Sequence, residues 1–230
     1  MFSYQLARSA KRKTLAISVK EGQVFVRAPH FLSQAQIDEF LLQKSQWIGQ
    51  KLQRSISEIA TKQELFKDGT SVMFDGKLTE ITYISKAKSP VIYHDSRLFV
   101  EVSDEIQEAD RAQFVKEQLA SYFQEVIETK IFNRLPYWVE QTKLTPVDFK
   151  VRQYKSRWGS CNSRRQLTFN SLLAMMSDHT IDYIIVHELC HLRHMNHSSA
   201  FWQLVGQYMP DFNEHRQWIK THQRSLSVFA

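Results

Sequence analysis

Apolar and polar positions alternate through much of the first hundred residues, which is the pattern of short β-strands. Such segments occur at 15–19, 24–28, 80–85, 91–94 and 97–102. Asp-Gly pairs at 68–69 and 75–76 are turn signals that flank further short strands. A helical repeat interrupts this pattern, opening at Ser33 and continuing to Leu52. Residues 1–105 are therefore predicted to form a β-rich N-terminal region with one long helix.

The second half of the chain changes from helix to strand and back to helix. A long helix is predicted over 111–134, where apolar residues recur at helical spacing. Strand patterns follow at 147–152, 157–160 and 166–170. The apolar run 181–186 then begins a buried helix, with Asp178 or Thr180 as its candidate N-cap. This order predicts an α+β fold, with residues 106–230 as its C-terminal domain.

The buried helix continues into His187-Glu188-Leu189-Cys190-His191, an H-E-x-x-H motif. Residues four apart lie about 40° from one another around a helix and roughly 6 Å along it. His187 and His191 can therefore direct their imidazoles at one metal ion, while Glu188 reaches a water bound to that ion. This favours a catalytic zinc site. The alternative is a histidine-rich amphipathic helix that binds no metal.

A third ligand would complete a catalytic zinc site and leave the fourth position open. His194 lies about 10.5 Å beyond His187 on a straight helix, which is too far for one ion to be shared. The helix must therefore end before the third ligand. His197 suits this requirement, because a new helical pattern begins immediately after it, at Ser198 or Ser199.

Other residues near the motif leave alternatives open. Asn196 is predicted to adopt the left-handed conformation that often ends a helix. Asp211 and Glu214 are the alternative third ligands, since some zincins take a carboxylate from a later helix. Cys190 faces about 60° away from His187 and is expected in the core, whereas Cys161 is expected near the cleft.

The element order and the motif together predict a minimal zincin-like C-terminal domain. In this arrangement a small antiparallel sheet packs against the H-E-x-x-H helix, and one edge of the sheet flanks the metal.

The composition excludes several classes of protein. Hydrophobic residues make up 43% of the 230 residues, which indicates a globular chain. No apolar run approaches the roughly 20 residues that a membrane span needs, and residues 1–13 lack the apolar core of a signal peptide. Two cysteines do not make a disulfide framework. We therefore expect a cytoplasmic protein without membrane association.

The formal net charge of +6 leans toward anionic partners. A first basic cluster, at 8–13, is interpreted as a solvated face. A second cluster, interleaved with Tyr154 and Trp158, consists of Lys150, Arg152, Lys155, Arg157, Arg164 and Arg165. This cluster suits nucleic acid or a nucleotide, whose phosphates and bases it can bind, and it equally suits the lining of a peptide cleft.

Several segments of the chain resemble the YgjP-like metallopeptidase family, which is related to the SprT-like zincins. They are Val26-Arg27-Ala28-Pro29, Lys44-Ser45-Gln46-Trp47-Ile48, Trp158-Gly159-Ser160-Cys161, Phe169-Asn170-Ser171-Leu172-Leu173, the H-E-x-x-H motif, and Asn196-His197-Ser198 with Phe201-Trp202. The resemblance covers nearly the whole chain. It implies a zinc-dependent hydrolase, with His187, His191 and His197 as ligands and Glu188 as the catalytic residue, but it identifies no substrate.

A peptide or protein substrate is expected beside the predicted strand at 157–160, which can bind it as an added strand. The candidate substrate-binding residues are Arg157, Trp158, Gly159, Ser160 and Asn170. Asn170 either holds an active-site loop or merely ends a strand. The candidates for stabilising a developing oxyanion, beside the metal, are Tyr154, Arg157, Tyr183 and His215.

The leading interpretation is a zinc metallopeptidase. Glu188 would accept a proton from a zinc-bound water as it attacks a carbonyl, and would then deliver that proton to the leaving amine. The alternatives are a metal-dependent hydrolase of nucleotide phosphoanhydrides, a nucleic-acid-binding protein with structural zinc, and a peptidase recruited to nucleic acid by its basic surface. Glu188 favours chemistry, because a structural zinc site has no use for it.

Overall fold

The computed structural model describes residues 2–20, 22–86 and 88–229, with the backbone alone for residues 58–63. It combines small sheets with several helices, so the predicted α+β class is confirmed. The chain divides into two compact units, which meet between Glu64 and Leu65 in the sequence. Within the described residues, no helix has both the length and the apolar character needed to cross a membrane.

The first unit is a three-stranded sheet with two helices. Its elements are β1 (Tyr4–Ser9), β2 (Ala16–Lys20), β3 (Gln23–Pro29), α1 (Gln34–Gln43) and α2 (Ser45–Glu64). Strand β3 lies in the middle, parallel to β1 and antiparallel to β2. A small apolar core joins β3 to the two helices, through Val24, Val26, Ala28, Ile37, Leu41 and Ile48.

Two helices occupy the segment where one was predicted. Ser33 caps α1 as expected, in a capping box with Gln36. The helix then ends at Lys44, whose φ of −97° and ψ of 5° depart from helical values. Buried Ile37 and Ile48 lie on either side of this break at a spacing close to three helical turns, so periodicity alone could not reveal it.

The second unit contains two sheets and the remaining helices. The first sheet consists of β4 (Ser71–Phe74), β5 (Lys77–Ile84), β6 (Val91–His94) and β7 (Arg97–Glu101), in the order β4-β5-β7-β6. After helix α3 (Glu108–Thr142) come β8 (Asp148–Arg152), β9 (Gly159–Cys161) and β10 (Gln166–Asn170). A 3-10 turn (Ser171–Met175) leads into α4 (Asp178–Cys190), α5 (Ser199–Tyr208), α6 (Phe212–Thr221) and α7 (Gln223–Leu226).

Helix α3 is the central support of this unit. Every fourth residue from Val115 onward is buried, namely Val115, Leu119, Phe123, Ile127, Ile131 and Leu135. The helix continues past the predicted end at Arg134 and includes Pro136. Proline normally ends a helix because it lacks an N–H group. Here Trp138 and Val139 pack against the core beyond it, and this packing keeps the following turns helical.

The four-stranded sheet shares its core with α3. Phe74 of β4 stacks on Phe123 of α3, with ring centroids 5.4 Å apart. The sequence pattern predicted a boundary between residues 105 and 106, on the basis of a change from strands to helix. The compact unit instead begins at Leu65, because burial joins this sheet to the helix that follows it.

The sheet beside the H-E-x-x-H helix is mixed, so the predicted antiparallel sheet is wrong in part. Strand β10 pairs antiparallel with β9 and parallel with β8. The segment 153–158 is long enough to carry the chain across two strand spacings, each about 4.8 Å. Strand β10 then occupies the middle position, and β9 becomes an edge of the sheet.

Helix α4 is fixed at its start by a cap and by an ion-pair network. Ser177, rather than the predicted Asp178 or Thr180, is the N-cap, and its hydroxyl accepts the Thr180 N–H at 3.4 Å. Asp178 is thereby available to accept from Lys130 of α3, at 2.6 Å.

Arg134 of α3 binds both aspartates of α4. Its Nε donates to Asp182 Oδ1 at 2.7 Å, its Nη2 donates to Asp182 Oδ2, and its Nη1 donates to Asp178 Oδ2 at 3.0 Å. The Trp138 indole N–H also donates to Asp182, at 2.8 Å. These bonds fix α4 on α3 in both position and rotation.

Replacing Asp182 with Ala would leave the Arg134 guanidinium and the Trp138 N–H without their shared acceptor. Because breaking a buried ion pair costs about 3–5 kcal/mol, we expect the free energy of unfolding to fall by roughly 3 kcal/mol. Urea denaturation measures this change. Glu128→Ala removes an exposed carboxylate from α3 and is the control, with an expected change within about 0.5 kcal/mol. Equal stability of Asp182→Ala and the wild type would contradict the network's role.

Candidate metal centre

Three histidine rings meet where α4 ends. His187 lies in the last turn of α4, His191 is its C-cap residue, and His197 directly precedes Ser198, the N-cap of α5. The Nε2 atoms of His187 and His197 are 3.0 Å apart. One candidate ligand atom from each of the three rings lies within 4.8 Å of the others. This cluster could hold a metal ion.

The turn between His191 and His197 differs from the predicted one. Among the described non-glycine residues, positive φ angles occur at Asp75, Asp95, Ser96, Lys143 and Arg165. The predicted left-handed conformation of Asn196 is therefore wrong. The helix instead ends in overlapping turns, in which the N–H groups of Arg193 and His194 both donate to the Cys190 carbonyl. Since these bonds reverse the chain, no left-handed residue is needed.

The hydrogen bonds of His191 determine which of its ring nitrogens can bind a metal. Nδ1 lies 2.9 Å from the His194 carbonyl oxygen. Because a carbonyl can only accept, Nδ1 carries the proton, and Nε2 keeps its lone pair. Metal-binding histidines are commonly oriented in this way. His194 thus contributes its backbone to the centre rather than its ring.

Burial keeps His187 and His191 neutral. The pKa of His187 is lowered to about 3 by burial first, and then by the nearby His191, His197 and Arg216. Burial also lowers the pKa of His191. A metal binds the neutral imidazole, so both rings are in the form required for metal binding.

Two aromatic residues of α5 pack against the histidine rings. Phe201 stacks on His191, with centroids 4.5 Å apart, and is fully buried. Trp202 stacks on His197 at 5.6 Å. The rings are therefore held by packing as well as by the chain turn.

Glu188 is buried beside the cluster and is 4% exposed. Burial raises the pKa of its carboxyl to about 8, and the opposing effect of Arg157 is smaller. Its Oε2 atom is one of the buried side-chain atoms, among the described residues, that make no hydrogen bond within the protein. A buried acceptor without a partner costs free energy. The absence of a partner within the protein is typical of a group that binds a ligand.

Gly159 of β9 lies directly against Glu188. A Cβ atom added at residue 159 would lie 2.5 Å from Oε1 and 2.7 Å from Cδ of Glu188. A side chain here would force the Glu188 carboxyl group to shift. The sequence suggested Gly159 as a substrate-binding residue, whereas the structure shows first that its missing side chain makes room for the carboxylate.

Asn170 holds the loop 153–158 in place through its amide. Its Nδ2 donates to the carbonyls of Tyr154 at 3.1 Å and Arg157 at 2.8 Å. Its Oδ1 accepts the N–H groups of Leu172 at 3.1 Å and Tyr154 at 3.3 Å. Of the two roles considered for Asn170, the structure favours the loop-holding role.

A cleft of about 670 Å³ opens over the histidines and Glu188. All five candidate substrate-binding residues line it, namely Arg157, Trp158, Gly159, Ser160 and Asn170. Lys155, from the second basic cluster, lines it as well, and the sequence did not predict further lining residues, which include Met195, Arg216, Lys220 and Gln223. Arg216 and Lys220 are one turn apart on α6, but their spacing alone does not indicate that α6 faces the cleft.

A family model of the YgjP-like metallopeptidase domain matches residues 13–222. The chain belongs to the YgjP-like family. The resemblance seen in its motifs is thereby confirmed. Among curated proteins, none matches this chain. The family name implies a metallopeptidase with a metal ion, and the histidine cluster could hold that ion.

The oxyanion candidates of this YgjP-like domain differ in their surroundings. The Tyr154 hydroxyl accepts from Arg152 at 2.8 Å and lies 3.2 Å from Ser160 Oγ. His215 is hydrogen-bonded to Thr180 at 3.2 Å, and it is not among the described residues that line the cleft.

Tyr183 and Arg157 both line the cleft. Burial raises the pKa of Tyr183 to about 12, so its hydroxyl remains a hydrogen-bond donor at neutral pH.

The remaining candidates lie outside the histidine cluster. Asp211 approaches His215 Nε2 at 3.3 Å, and neither Asp211 nor Glu214 belongs to the metal-compatible group found among the described residues. Cys190 is fully buried, as expected. Cys161 lines the cleft of the YgjP-like domain.

Gly159→Ala is expected to displace Glu188, because the added methyl group overlaps its carboxylate. Overpacking of this kind costs about 1–3 kcal/mol, which urea denaturation would detect. Gly206→Ala in α5 is the matched control, since its added methyl group meets Phe212 at 3.4 Å, an ordinary contact. The control should unfold at the wild-type urea concentration or slightly above it. If Gly159→Ala behaves like Gly206→Ala, the close contact with Glu188 does not constrain residue 159.

Proposed function

We propose that this chain is a zinc-dependent peptidase with a zincin-like catalytic domain, in which Glu188 acts as the general base. The observation that carries the proposal is the position of a buried carboxylate beside three clustered histidines. His187, His191 and His197 would hold the metal, and the fourth position would face the cleft.

The donor set supports zinc. Three neutral imidazoles are typical of catalytic zinc sites, where Zn–N bonds are about 2.0–2.1 Å. Tetrahedral bonds of that length place two ligand nitrogens about 3.3 Å apart, and the His187 and His197 Nε2 atoms are 3.0 Å apart. When bound, zinc acts as a Lewis acid that lowers the pKa of a coordinated water and polarises a carbonyl.

Glu188 supplies the proton transfer in this proposal. Its carboxylate would take the proton of the attacking water and then give it to the leaving amine. A pKa near neutrality suits both steps, because one group must accept and then release the same proton. Tyr183 and Arg157 are the proposed donors to the developing oxyanion, since both line the cleft.

Strand β9 is the proposed docking edge for a peptide. Ser160 lies opposite Thr168, and the Trp158 carbonyl accepts the Asn170 N–H. In an antiparallel pair, alternate residues direct their backbone groups to the partner strand. The backbone groups of Gly159 and Cys161 therefore face away from β10, where an extended substrate can pair with them.

His197→Ala tests the third ligand. We expect one zinc per chain in the wild type. The affinity of His197→Ala for zinc should fall by more than the 10–100-fold that is typical when a residue hydrogen-bonded to a metal ligand is lost. Metal content is measured by mass spectrometry after dialysis against a weak chelator. His194→Ala is the control, because the structure uses the carbonyl of that residue. Undiminished zinc in His197→Ala would exclude His197 as a ligand.

Glu188→Gln tests the reaction. The amide keeps the shape of the side chain but cannot accept the proton, so cleavage of an unfolded protein should fall about 10²–10⁴-fold. Zinc content should remain at the wild-type value, which separates the loss of chemistry from the loss of metal. Full activity in this variant would mean that Glu188 is not the base.

A further inference from the structure

Positive charge dominates the cleft. Lys155 and Arg157 come from the loop 153–158, and Arg216 and Lys220 come from α6. Among the described residues that line the cleft, Glu188 is the single carboxylate. The walls of the cleft are thus basic on two separate segments.

These cations are not paired with any carboxylate that the structure describes. Within the described part of the chain, none of the four cations lies within 4.0 Å of a carboxylate. Arg134, in contrast, is fully engaged with Asp178 and Asp182. Unpaired like charges repel one another, and a cleft lined by them attracts ligands of the opposite sign.

Arg216 is held in position next to the candidate metal centre. Its guanidinium carbon lies 4.3 Å from the centroid of the Trp202 ring, and its Nη1 donates to Asn213 Oδ1 at 3.3 Å. Trp202 stacks on His197 as well. The guanidinium is therefore fixed against the same indole that supports the proposed third ligand.

The cations lie near different parts of the candidate metal centre. Arg157 comes two residues before Gly159, which packs against Glu188. Arg216 lies over the Trp202 ring, which stacks on His197. A substrate that spans the centre would thus meet one cation near Glu188 and another near His197.

The aromatic surroundings favour a peptide over nucleic acid. Stacking on an aromatic face is the usual way to bind single-stranded bases. The Tyr154 ring already lies near Arg152 at 4.5 Å and Arg157 at 5.5 Å. Trp202 packs against Arg216, His197 and Phe212. These rings offer little surface for bases, whereas the β9 edge offers hydrogen bonds to a backbone.

We propose that the cleft selects peptides with acidic side chains on both sides of the cleaved bond. Arg216 and Lys220 would contact the acidic side chain on one side, and Lys155 and Arg157 the one on the other. This inference rests on the proposed peptidase function and adds its substrate class.

The test compares two peptides of equal length that carry either Asp or Lys at the positions flanking one cleavable bond. With the zinc-loaded full chain, kcat/KM should be at least about tenfold higher for the acidic peptide. The cations of the cleft attract its Asp side chains, whereas they repel the Lys side chains of the other peptide. Arg216→Glu should lower this ratio roughly tenfold by the same exchange, and Arg216→Lys should largely preserve it. Lys150→Glu is the control. It makes an equal charge change on β8, at a residue that is not among the described ones lining the cleft, and it should leave the ratio of the two kcat/KM values unchanged.

Binding measurements on Glu188→Gln separate this inference from the reaction. Fluorescence anisotropy of the labelled peptides should show tighter binding of the acidic one, even if no peptide is cleaved by the wild type. Acidic preference without cleavage would support the selectivity and overturn the peptidase. Equal cleavage and equal binding of both peptides would overturn the selectivity alone. Tighter binding of a single-stranded oligonucleotide, lost in Arg216→Glu, would assign the cations to nucleic acid and overturn the proposal.

Discussion

Arg134 and Asp182 form an ion pair between α3 and α4, two helices whose buried residues are mostly apolar. Apolar packing is non-directional, so it would tolerate small rotations of α4 on α3. A guanidinium that binds both oxygens of one carboxylate does not tolerate them. The pair, extended to Asp178 and Lys130, therefore fixes the rotation of α4. The directions of His187, Glu188 and His191 all follow from this rotation.

A steric constraint completes this arrangement from the other side. Strand β9 approaches α4 so closely that a side chain at residue 159 would overlap the Glu188 carboxyl group. Burial of Glu188 at this contact raises the pKa of its carboxyl to about 8. The approach of β9 thus affects both the position and the acidity of this group. Asn170 supports the contact by holding the loop that leads into β9.

The parts that the sequence predicted well are those set by local spacing. The H-E-x-x-H helix, the cap at Ser33 and the return of His197 to the helix end depend on residues close together in the chain. The parts that it missed depend on distant residues. Helix α3 passes Pro136 because the core supports its last turns. Strand β10 inserts between β8 and β9, and α6 brings Arg216 to the cleft, through contacts that no local pattern contains.

Helix α4 has its anchors and its reactive groups at different ends. Its first two turns carry Asp178 and Asp182, and its last turn carries His187. The basic walls of the cleft come from other segments, the loop 153–158 and α6, which contribute no residue to the Arg134 network. Mutations in these walls can accumulate without loosening the helix. Such an architecture is evolvable: new specificities can arise in homologues, or in laboratory selection, while the chemical centre is inherited unchanged.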